Sequence, residues 1–359
     1  MTYPNQPFFT LAQISDLHFI GKLTEKGRTH YLKQFGTKSH AFNKVDALSR
    51  AFRLIQHPRW GKPIEVLMAT GDISTDGSTK ALYTALTFIE CQAITDVNGK
   101  PLATGLNKQH HQRLVLPGNH DRYTATWLPK QVSSKELENI FSTPVKYPYV
   151  RGYRPSGSTN KSDPTLLFIV FDSTLDPTDP AFAWNRVARG RVEETECQGM
   201  LDALNNIKST REVESIDGGK LEVNYDKTFR IVLLHHHPKR HGRGLRAAVK
   251  HATSKMENAR LFIRYCFDAH IDLILFGHQH KEYYDIISPT ATPDWSPPSD
   301  AHDIYYFCCL STSEYSETDN GFYLIDFYKN EFRVTPYHWT GASFIDQAFI
   351  SRPYTRPTF

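Results

Sequence analysis

The sequence predicts an α/β fold in which two mixed β-sheets pack face to face and helices cover the outside. In roughly the first three quarters of the chain, short apolar runs rich in β-branched residues alternate with segments of helical length and periodicity. In the last part, aromatic-rich runs follow one another with only turn residues between them. With 359 residues, 40% of them apolar, the chain can bury a core of this size.

Six runs in the first part are apolar on both faces and end in polar residues, which is typical of central strands in covered sheets. They occupy 8–15, 64–70, 113–117, 166–171, 229–235 and 271–277. Apolar residues spaced three to four apart predict helices at 41–56, 77–92, 195–207 and 244–269. Clusters of Gly, Pro, Ser and Asp predict surface loops at 154–164, 215–220 and 291–303.

The C-terminal runs at 304–310, 322–328 and 331–339 are separated by turn-like residues and predict three consecutive antiparallel strands. We expect a single domain over 1–359, to which residues from about 304 to 359 add these strands and a tail.

Charge, cysteine content and the lack of long apolar runs indicate the expected cellular location and the expected binding partners. The formal net charge is only +4 and the basic residues are scattered, so nucleic acid is not an expected partner. The five cysteines form no Cys-x-x-Cys pair and are expected to be reduced thiols. No signal-like N-terminus and no apolar run of membrane-spanning length is present, so we expect a cytoplasmic protein without a membrane partner.

Five of the predicted strands end in side chains that bind metals. The segments are Asp16-Leu17-His18, Gly71-Asp72, Gly118-Asn119-His120-Asp121, His235-His236-His237-Pro238 and Gly277-His278-Gln279-His280. Alternate residues of an extended segment share a side, so Asp16 with His18, and His278 with His280, are each expected to point at one place. The glycines before Asp72, Asn119 and His278 remove a side chain where the backbone enters a crowded site.

The donors are too numerous for one ion. They are Asp16, His18, Asp72, Asn119, one histidine of 235–237, His278 and His280. Two divalent ions about 3.5–4 Å apart that share the carboxylate of Asp72 would use them all. Oxygen and nitrogen donors without a thiolate favour manganese, iron or zinc. A water bridging two such cations would be acidified, which makes hydroxide available near neutral pH.

The ordered motifs DLH, GD, GNHD, HHHP and GHQH, which span residues 16–280, resemble those of the calcineurin-like metallophosphoesterases. The resemblance implies a four-layer αββα sandwich with two metals at the strand ends. It assigns Asp16, His18 and His280 to the first metal, and Asn119, His278 and His235 to the second, with Asp72 bridging and His236 as the alternative to His235. It also implies that His120 contacts the phosphate and assists the leaving oxygen, and that Asp121 orients His120.

Each motif alone also fits ordinary turn chemistry. Their conjunction at five strand ends in the family order has no common structural explanation, which favours the dinuclear site.

Differences in the motifs narrow the subfamily. GDISTDG lacks the Asp-Arg-Gly continuation of the protein Ser/Thr phosphatases, which argues against that activity. GNHD has a histidine where lipid-precursor pyrophosphatases have arginine, which argues against that group. Thr75 occupies the position where purple acid phosphatases have a tyrosine ligand, which argues against them as well. The remaining resemblance is to class III cyclic-nucleotide phosphodiesterases and their glycerophosphodiesterase relatives. It implies hydrolysis of a small phosphodiester by a hydroxide that bridges two metals.

Other functions stay open. A phosphomonoesterase of the same superfamily would share the donors. A nuclease should also show a basic groove or capping domain, and a non-catalytic scaffold should have lost donors; neither is found in the sequence. The long connections at 21–41, 208–228 and 281–303 lie next to strand ends, where substrate pockets form, so they leave the substrate open. The oligomeric state is not determined, and a homodimer is compatible with the sequence.

Overall fold

A computed structural model describes residues 7–20, 42–57, 63–75, 77–90, 94–95, 101–103, 105–106, 112–122, 134–141, 146–155, 165–174, 189–238, 256–291, 295–314 and 319–354. Its helices are α1 Phe42–Ile55, α2 Thr79–Ile89, α3 Asn119–Arg122, α4 Ser134–Phe141, α5 Glu194–Thr210 and α6 Ala259–Asp268. Short 3-10 turns lie at Tyr225–Lys227 and Pro289–Ala291. The expected insertion at 21–41 lies outside the described residues.

The strands up to the middle of the chain are β1 Phe9–Ile14, β2 Ile64–Thr70, β3 Ile94–Thr95, β4 Pro101–Ala103, β5 Gln112–Leu116, β6 Tyr149–Tyr153, β7 Thr165–Val170, β8 Glu212–Glu214 and β9 Lys220–Glu222. The remaining strands are β10 Thr228–Leu233, β11 Leu273–Phe276, β12 Tyr283–Ile287, β13 Ile304–Cys308, β14 Gly321–Phe327, β15 Glu331–Trp339, β16 Phe344–Asp346 and β17 Ile350–Pro353.

Two large mixed sheets organise these strands. The first has the order β16-β15-β14-β1-β2-β5, with β17 also pairing with β15, and the second has the order β12-β13-β11-β10-β7-β6. β1, β2 and β5 run parallel in the first sheet, and β7, β10, β11 and β13 run parallel in the second. Hairpins β3-β4 and β8-β9 form two small separate sheets.

Three apolar clusters show how the layers stack. The central cluster joins the inner faces of the two sheets, and the ring centroids of Phe229 on β10 and Phe327 on β14 lie 5.3 Å apart across it. A second cluster lies between the first sheet and α1, α2 and α4, and a third lies between the second sheet and α5 and α6. The expected four-layer αββα sandwich is confirmed.

Local sequence explains the helices that cover the sheets. On α1, Val45, Leu48 and Phe52 recur at helical spacing and are fully buried. Ser78 caps α2 by accepting a hydrogen bond from the amide of Ala81. A capping box begins α5, and Arg211 ends this helix in a left-handed conformation with φ +59°. No helix in the described ranges is long and apolar enough to span a membrane.

Two expectations about secondary structure are wrong. The run at 304–310 does not join the other two C-terminal strands, because β13 pairs with β11 and β12 in the second sheet and only β14 and β15 form the antiparallel hairpin. All five residues of β13 are buried, which a central position explains. The predicted helix at 244–269 is helical only from Ala259; 256–258 form a turn, and 239–255 lie outside the described residues.

A matched pair of substitutions on α1 tests the sandwich. Leu48 is fully buried, whereas Leu54 on the same helix is 63% exposed. Leu48→Ala should lower the free energy of unfolding by about 2–5 kcal/mol, because it leaves a cavity in the core. Leu54→Ala should change the same quantity by less than about 0.5 kcal/mol. Urea denaturation of both variants measures the difference, and equal losses would contradict the position of α1.

Candidate metal centre

The donors lie at one edge of the sandwich, just beyond the carboxyl ends of the parallel strands. Asp16 follows β1, Asp72 follows β2, His235 follows β10 and His278 follows β11. Backbone hydrogen bonds tie the loops to one another. The amide of Asp16 donates to the carbonyl of Gly71 at 3.0 Å, and the amide of His278 donates to the carboxylate of Asp16 at 3.1 Å. Loops from both sheets thus converge on one small volume.

The backbone at the donors is left-handed, with φ +52° at Asp16, +52° at His18, +51° at Asp72, +69° at His278 and +54° at His280. These donors therefore do not lie on extended segments. Asp16 and His18 still point at one place, as expected, whereas the same expectation for His278 and His280 is wrong. A positive φ costs a residue with a side chain on the order of 1–3 kcal/mol. The repeated sharp turns direct His278 and His280 toward two different groups of donors.

The first group consists of Asp16, His18 and His280, each of which offers one ligand atom within 4.8 Å of the others. Nε2 of His280 lies 3.0 Å from Oδ1 of Asp16, and Nε2 of His18 lies 3.9 Å from the same oxygen. All three side chains are buried.

The second group surrounds His235. Nε2 of His235 lies 3.2 Å from Oδ2 of Asp72, 3.3 Å from Oδ1 of Asn119 and 3.2 Å from Nδ1 of His278. Nδ1 of His235 donates to the carbonyl of Thr70 at 2.8 Å, which turns Nε2 toward the group. Of the two histidines considered in the HHHP motif, His235 is the one that contacts Asp72 and Asn119.

Asp72 joins the two groups, because Asp16, Asp72 and His235 also offer ligand atoms within 4.8 Å of one another. Oδ1 of Asp72 accepts the amide hydrogen of His120 at 2.8 Å. The structure therefore brings together all seven side chains that the sequence marks as donors.

Charges at the site follow from burial and from the neighbouring side chains. Burial raises the pKa values of Asp16 and Asp72, but the adjacent His280 and His235 outweigh it, and both values lie below the ordinary range. Burial holds the pKa of His18 well below its ordinary value. Burial lowers the pKa of His235, but the charge and hydrogen bond of Asp72 outweigh it and raise the value to about 9, so a cation bound at this imidazole would displace its proton.

Unsatisfied polar atoms show that the donor set fits cations. Within the described part of the chain, both ring nitrogens of His18 are buried without a hydrogen-bond partner. The same holds for Nε2 of His236, which is not among the seven donors but offers a ligand atom within 4.8 Å of those of His235 and His278. A buried polar atom without a partner costs free energy, and coordination of a cation compensates that cost. Imidazoles, carboxylates and an amide oxygen suit manganese, iron or zinc.

His120 and Asp121 have different surroundings from those expected. Nδ1 of His120 lies 2.9 Å from the carbonyl of Thr75, so this carbonyl, and not Asp121, is the group that orients the ring. The carboxylate of Asp121 accepts the amides of Gly118 at 2.9 Å and of Ser74 at 2.8 Å. Burial and the charge of Asp72 raise the pKa of Asp121 to about 7. Asp121 therefore fixes the loops on either side of His120 and does not touch it.

Sequence reasoning missed residues 311–313, which we call the hydroxyl segment. Ser311 Oγ donates to the carbonyl of Asp16 and Ser313 Oγ to the carbonyl of Leu17, both at 2.9 Å. The intervening residue, Thr312, pairs with Ser15. All three hydroxyl side chains are buried. Nothing in the run Ser-Thr-Ser distinguishes it from a surface turn, so no sequence signal could have found it.

Glycines permit the close approach of the loops, as expected. A Cβ on Gly277 would lie 1.8 Å from Oγ of Ser15 and 2.7 Å from Oδ2 of Asp16. A Cβ on Gly118 would lie 2.2 Å from Oδ1 of Asp72. A side chain at either position would displace a donor loop.

Several known proteins are similar to this chain in fold or in sequence family. Among solved structures, a dimetal phosphatase from Danio rerio is similar at 12% identity, with a TM-score of 0.53 and coverage of 97% of this chain and 100% of the other. Vps29 from Chaetomium thermophilum is similar at 9% identity, with a TM-score of 0.32 and coverage of 97% and 96%. The first of these shows a shared fold. None of the curated proteins matches the sequence.

Residues 9–282 match the family model described as calcineurin-like phosphoesterase. The match spans more than half of the chain, and the protein belongs to the calcineurin-like phosphoesterase family.

Proposed function

We propose that this phosphoesterase hydrolyses a small phosphodiester with the help of two divalent cations, and that cyclic nucleotides or glycerophosphodiesters are its substrate class. The observation that carries the proposal is the junction of the two donor groups at Asp72, whose carboxylate lies in ligand range of both. A carboxylate shared in this way is the arrangement that a two-cation site requires.

The donor groups assign each side chain a place. Asp16, His18 and His280 would hold the first cation, Asn119, His235 and His278 the second, and Asp72 both. Cations at these places supply Lewis acidity to the phosphoryl group and lower the pKa of water. The chain's contribution is to hold the donors in position and to exclude bulk water from them, since nearly all are buried.

His120 is the residue that we assign to the leaving group. Its Nδ1 faces the carbonyl of Thr75, which leaves Nε2 for the substrate. Its ring is only half-buried and lies 5.0 Å from the ring of His18, so it borders both the donor groups and solvent. Since Nδ1–H donates to the carbonyl of Thr75, Nε2 carries a proton only in the imidazolium form. We propose that His120 in that form gives its Nε2 proton to the leaving oxygen as the bond to phosphorus breaks and is left as the neutral ring.

One charged side chain within the described residues favours a diester over a monoester. A phosphodiester carries one negative charge, whereas a phosphomonoester near neutral pH approaches two and calls for additional cationic side chains. Arg122, which directly follows the GNHD motif, is buried and paired with Asp172. Its charge is therefore already compensated within the fold.

Two chromogenic esters test the substrate class. The protein reconstituted with Mn²⁺ or Zn²⁺ should hydrolyse bis-(p-nitrophenyl) phosphate faster than p-nitrophenyl phosphate. Asp72→Ala should lose bound metal and reduce turnover by more than about 100-fold, beyond the range seen when an outer partner of a ligand is lost. Asp226→Ala, at a 75% exposed carboxylate, is the control that should retain both.

Faster cleavage of the monoester would instead favour a phosphatase, the activity in the description of the Danio rerio structure. Full metal content and turnover in the Asp72 variant would contradict the two-cation site.

Replacement of His120 tests its role as an acid. His120→Ala should keep its metal content, because the ring is not among the donors, but diesters with poor leaving groups should react about 10²–10⁴ times more slowly. Esters of p-nitrophenol should suffer less, since that group leaves without a proton. Rates across a series of leaving groups measure the difference, and equal losses throughout would argue against proton donation.

A pair of glycine substitutions tests the packing of the donor loops. Gly277→Ala should release cation from the first group, because its Cβ would displace Ser15 and Asp16. Gly199→Ala is the control, since its Cβ would meet only Cδ and Cγ of Pro148, at ordinary distances of 3.6 and 3.9 Å, and alanine favours the helix. Elemental analysis of both purified variants measures the metal, and full occupancy in Gly277→Ala would contradict the close approach.

A further inference from the structure

The loop that carries Asp16 and His18 is supported from a part of the chain that lies outside the family match. That match ends at residue 282, whereas the hydroxyl segment follows β13, at residues 311–313. Here the chain leaves the second sheet and crosses to β14 of the first sheet. Within the described part of this connection, residues 311–313 form hydrogen bonds to the loop that carries the first donors.

Each residue of the hydroxyl segment forms a hydrogen bond to the loop that carries Asp16 and His18. The amide of Thr312 donates to the carbonyl of Ser15 at 2.8 Å, and the amide of Ser15 donates to Oγ1 of Thr312 at 3.0 Å. Ser311 and Ser313 extend the contact to the next two carbonyls, as described above. These hydrogen bonds join buried residues, so loss of one partner would leave a buried polar group unsatisfied.

The hydroxyl segment is itself anchored on its other side. Nδ2 of Asn320 donates to the carbonyl of Ser311 at 2.9 Å, and Nζ of Lys44 on α1 donates to the carbonyl of Glu314 at 2.9 Å. The lysine is 5% exposed and also contacts Oδ1 of Asn320. A segment fixed from both sides transmits its position to the loop that it supports.

The backbone strain of the supported loop explains why it needs these hydrogen bonds. Asp16 and His18 both have φ +52°, a conformation that the surroundings must impose. The carbonyls of Asp16 and Leu17, in the same loop, accept the hydrogen bonds from the serine hydroxyls. Without those hydrogen bonds the loop would lower its free energy by leaving the left-handed conformation. The side chains of Asp16 and His18 would then move apart.

We propose that the hydroxyl segment is a positioning element for the first cation: residues 311–313 hold the Asp16-Leu17-His18 loop in its left-handed conformation and thereby set cation affinity at the first donor group. The inference rests on the proposed function. It adds residues beyond the family match to the support of the site, although none of them belongs to a donor group.

Isosteric substitutions test the inference. Thr312→Val removes the hydroxyl that accepts from Ser15 and should weaken Mn²⁺ binding at the first group by about 10–100-fold, the effect typical of losing an outer partner of a metal ligand. Thr312→Ser restores a hydroxyl and should recover most of the affinity. Thr228→Val is the matched control. It removes a buried hydroxyl that donates to the carbonyl of Tyr225 at 2.8 Å, and Thr228 begins β10, at the opposite end of that strand from His235.

Cation binding at each donor group can be measured alone in two backgrounds. His278→Ala disrupts the second group and keeps the first intact, and His280→Ala disrupts the first and keeps the second intact. Each variant is therefore also made in both backgrounds. Calorimetric titration with Mn²⁺ should show the loss for Thr312→Val only in the His278→Ala background. Equal losses in both backgrounds, or in Thr228→Val, would reduce the segment to a general structural role and overturn the inference.

Ser313→Ala is a second variant in case Thr312→Val fails to fold, and it should weaken the first group in the same direction. Unchanged Mn²⁺ affinity in both variants, with two ions bound by the wild type, would refute the inference and leave the proposed function standing. Failure of the wild type to bind two ions would instead refute the proposed function, and the inference with it.

Discussion

Burial of ionised carboxylates among imidazoles around Asp72 is the constraint on which the rest of the structure depends. A charge removed from water must find compensation in the fold, or it will take up a proton instead. Here the compensation comes from backbone amides, from imidazoles and from the cations that we propose. The surrounding loops must therefore hold their positions closely, and much of the fold beyond the two sheets serves that end.

Both sheets are needed to build the site. The first sheet supplies Asp16 and Asp72, and the second supplies His235 and His278. Their inner faces meet over the central apolar cluster, so the register between the sheets also sets the distance between the donors. A substitution deep in that cluster can thus alter the site without touching it, because packed interiors transmit small shifts.

Much of the fold and most of the donors could be predicted from the sequence, because a run buried on both faces and a polar residue at its end are local patterns. The position of β13 could not be predicted, because a strand covered on both faces has the same composition in either sheet. The left-handed turns at Asp16 and His278 have no local signal, because these residue types adopt several backbone conformations. The partner of His120 was missed because a backbone carbonyl leaves no mark in the sequence.

The position of β14 has a consequence for the boundaries of the folding unit. β14 pairs with β1 from Phe9↔Phe327 to Gln13↔Tyr323, yet it lies beyond the end of the family match. A fragment cut at residue 282 would contain every donor but would leave β1 as an open edge, with a row of unpaired amides and carbonyls. Such an edge recruits strands from other molecules and promotes aggregation. The smallest soluble piece that keeps the donors is therefore expected to extend through the C-terminal hairpin.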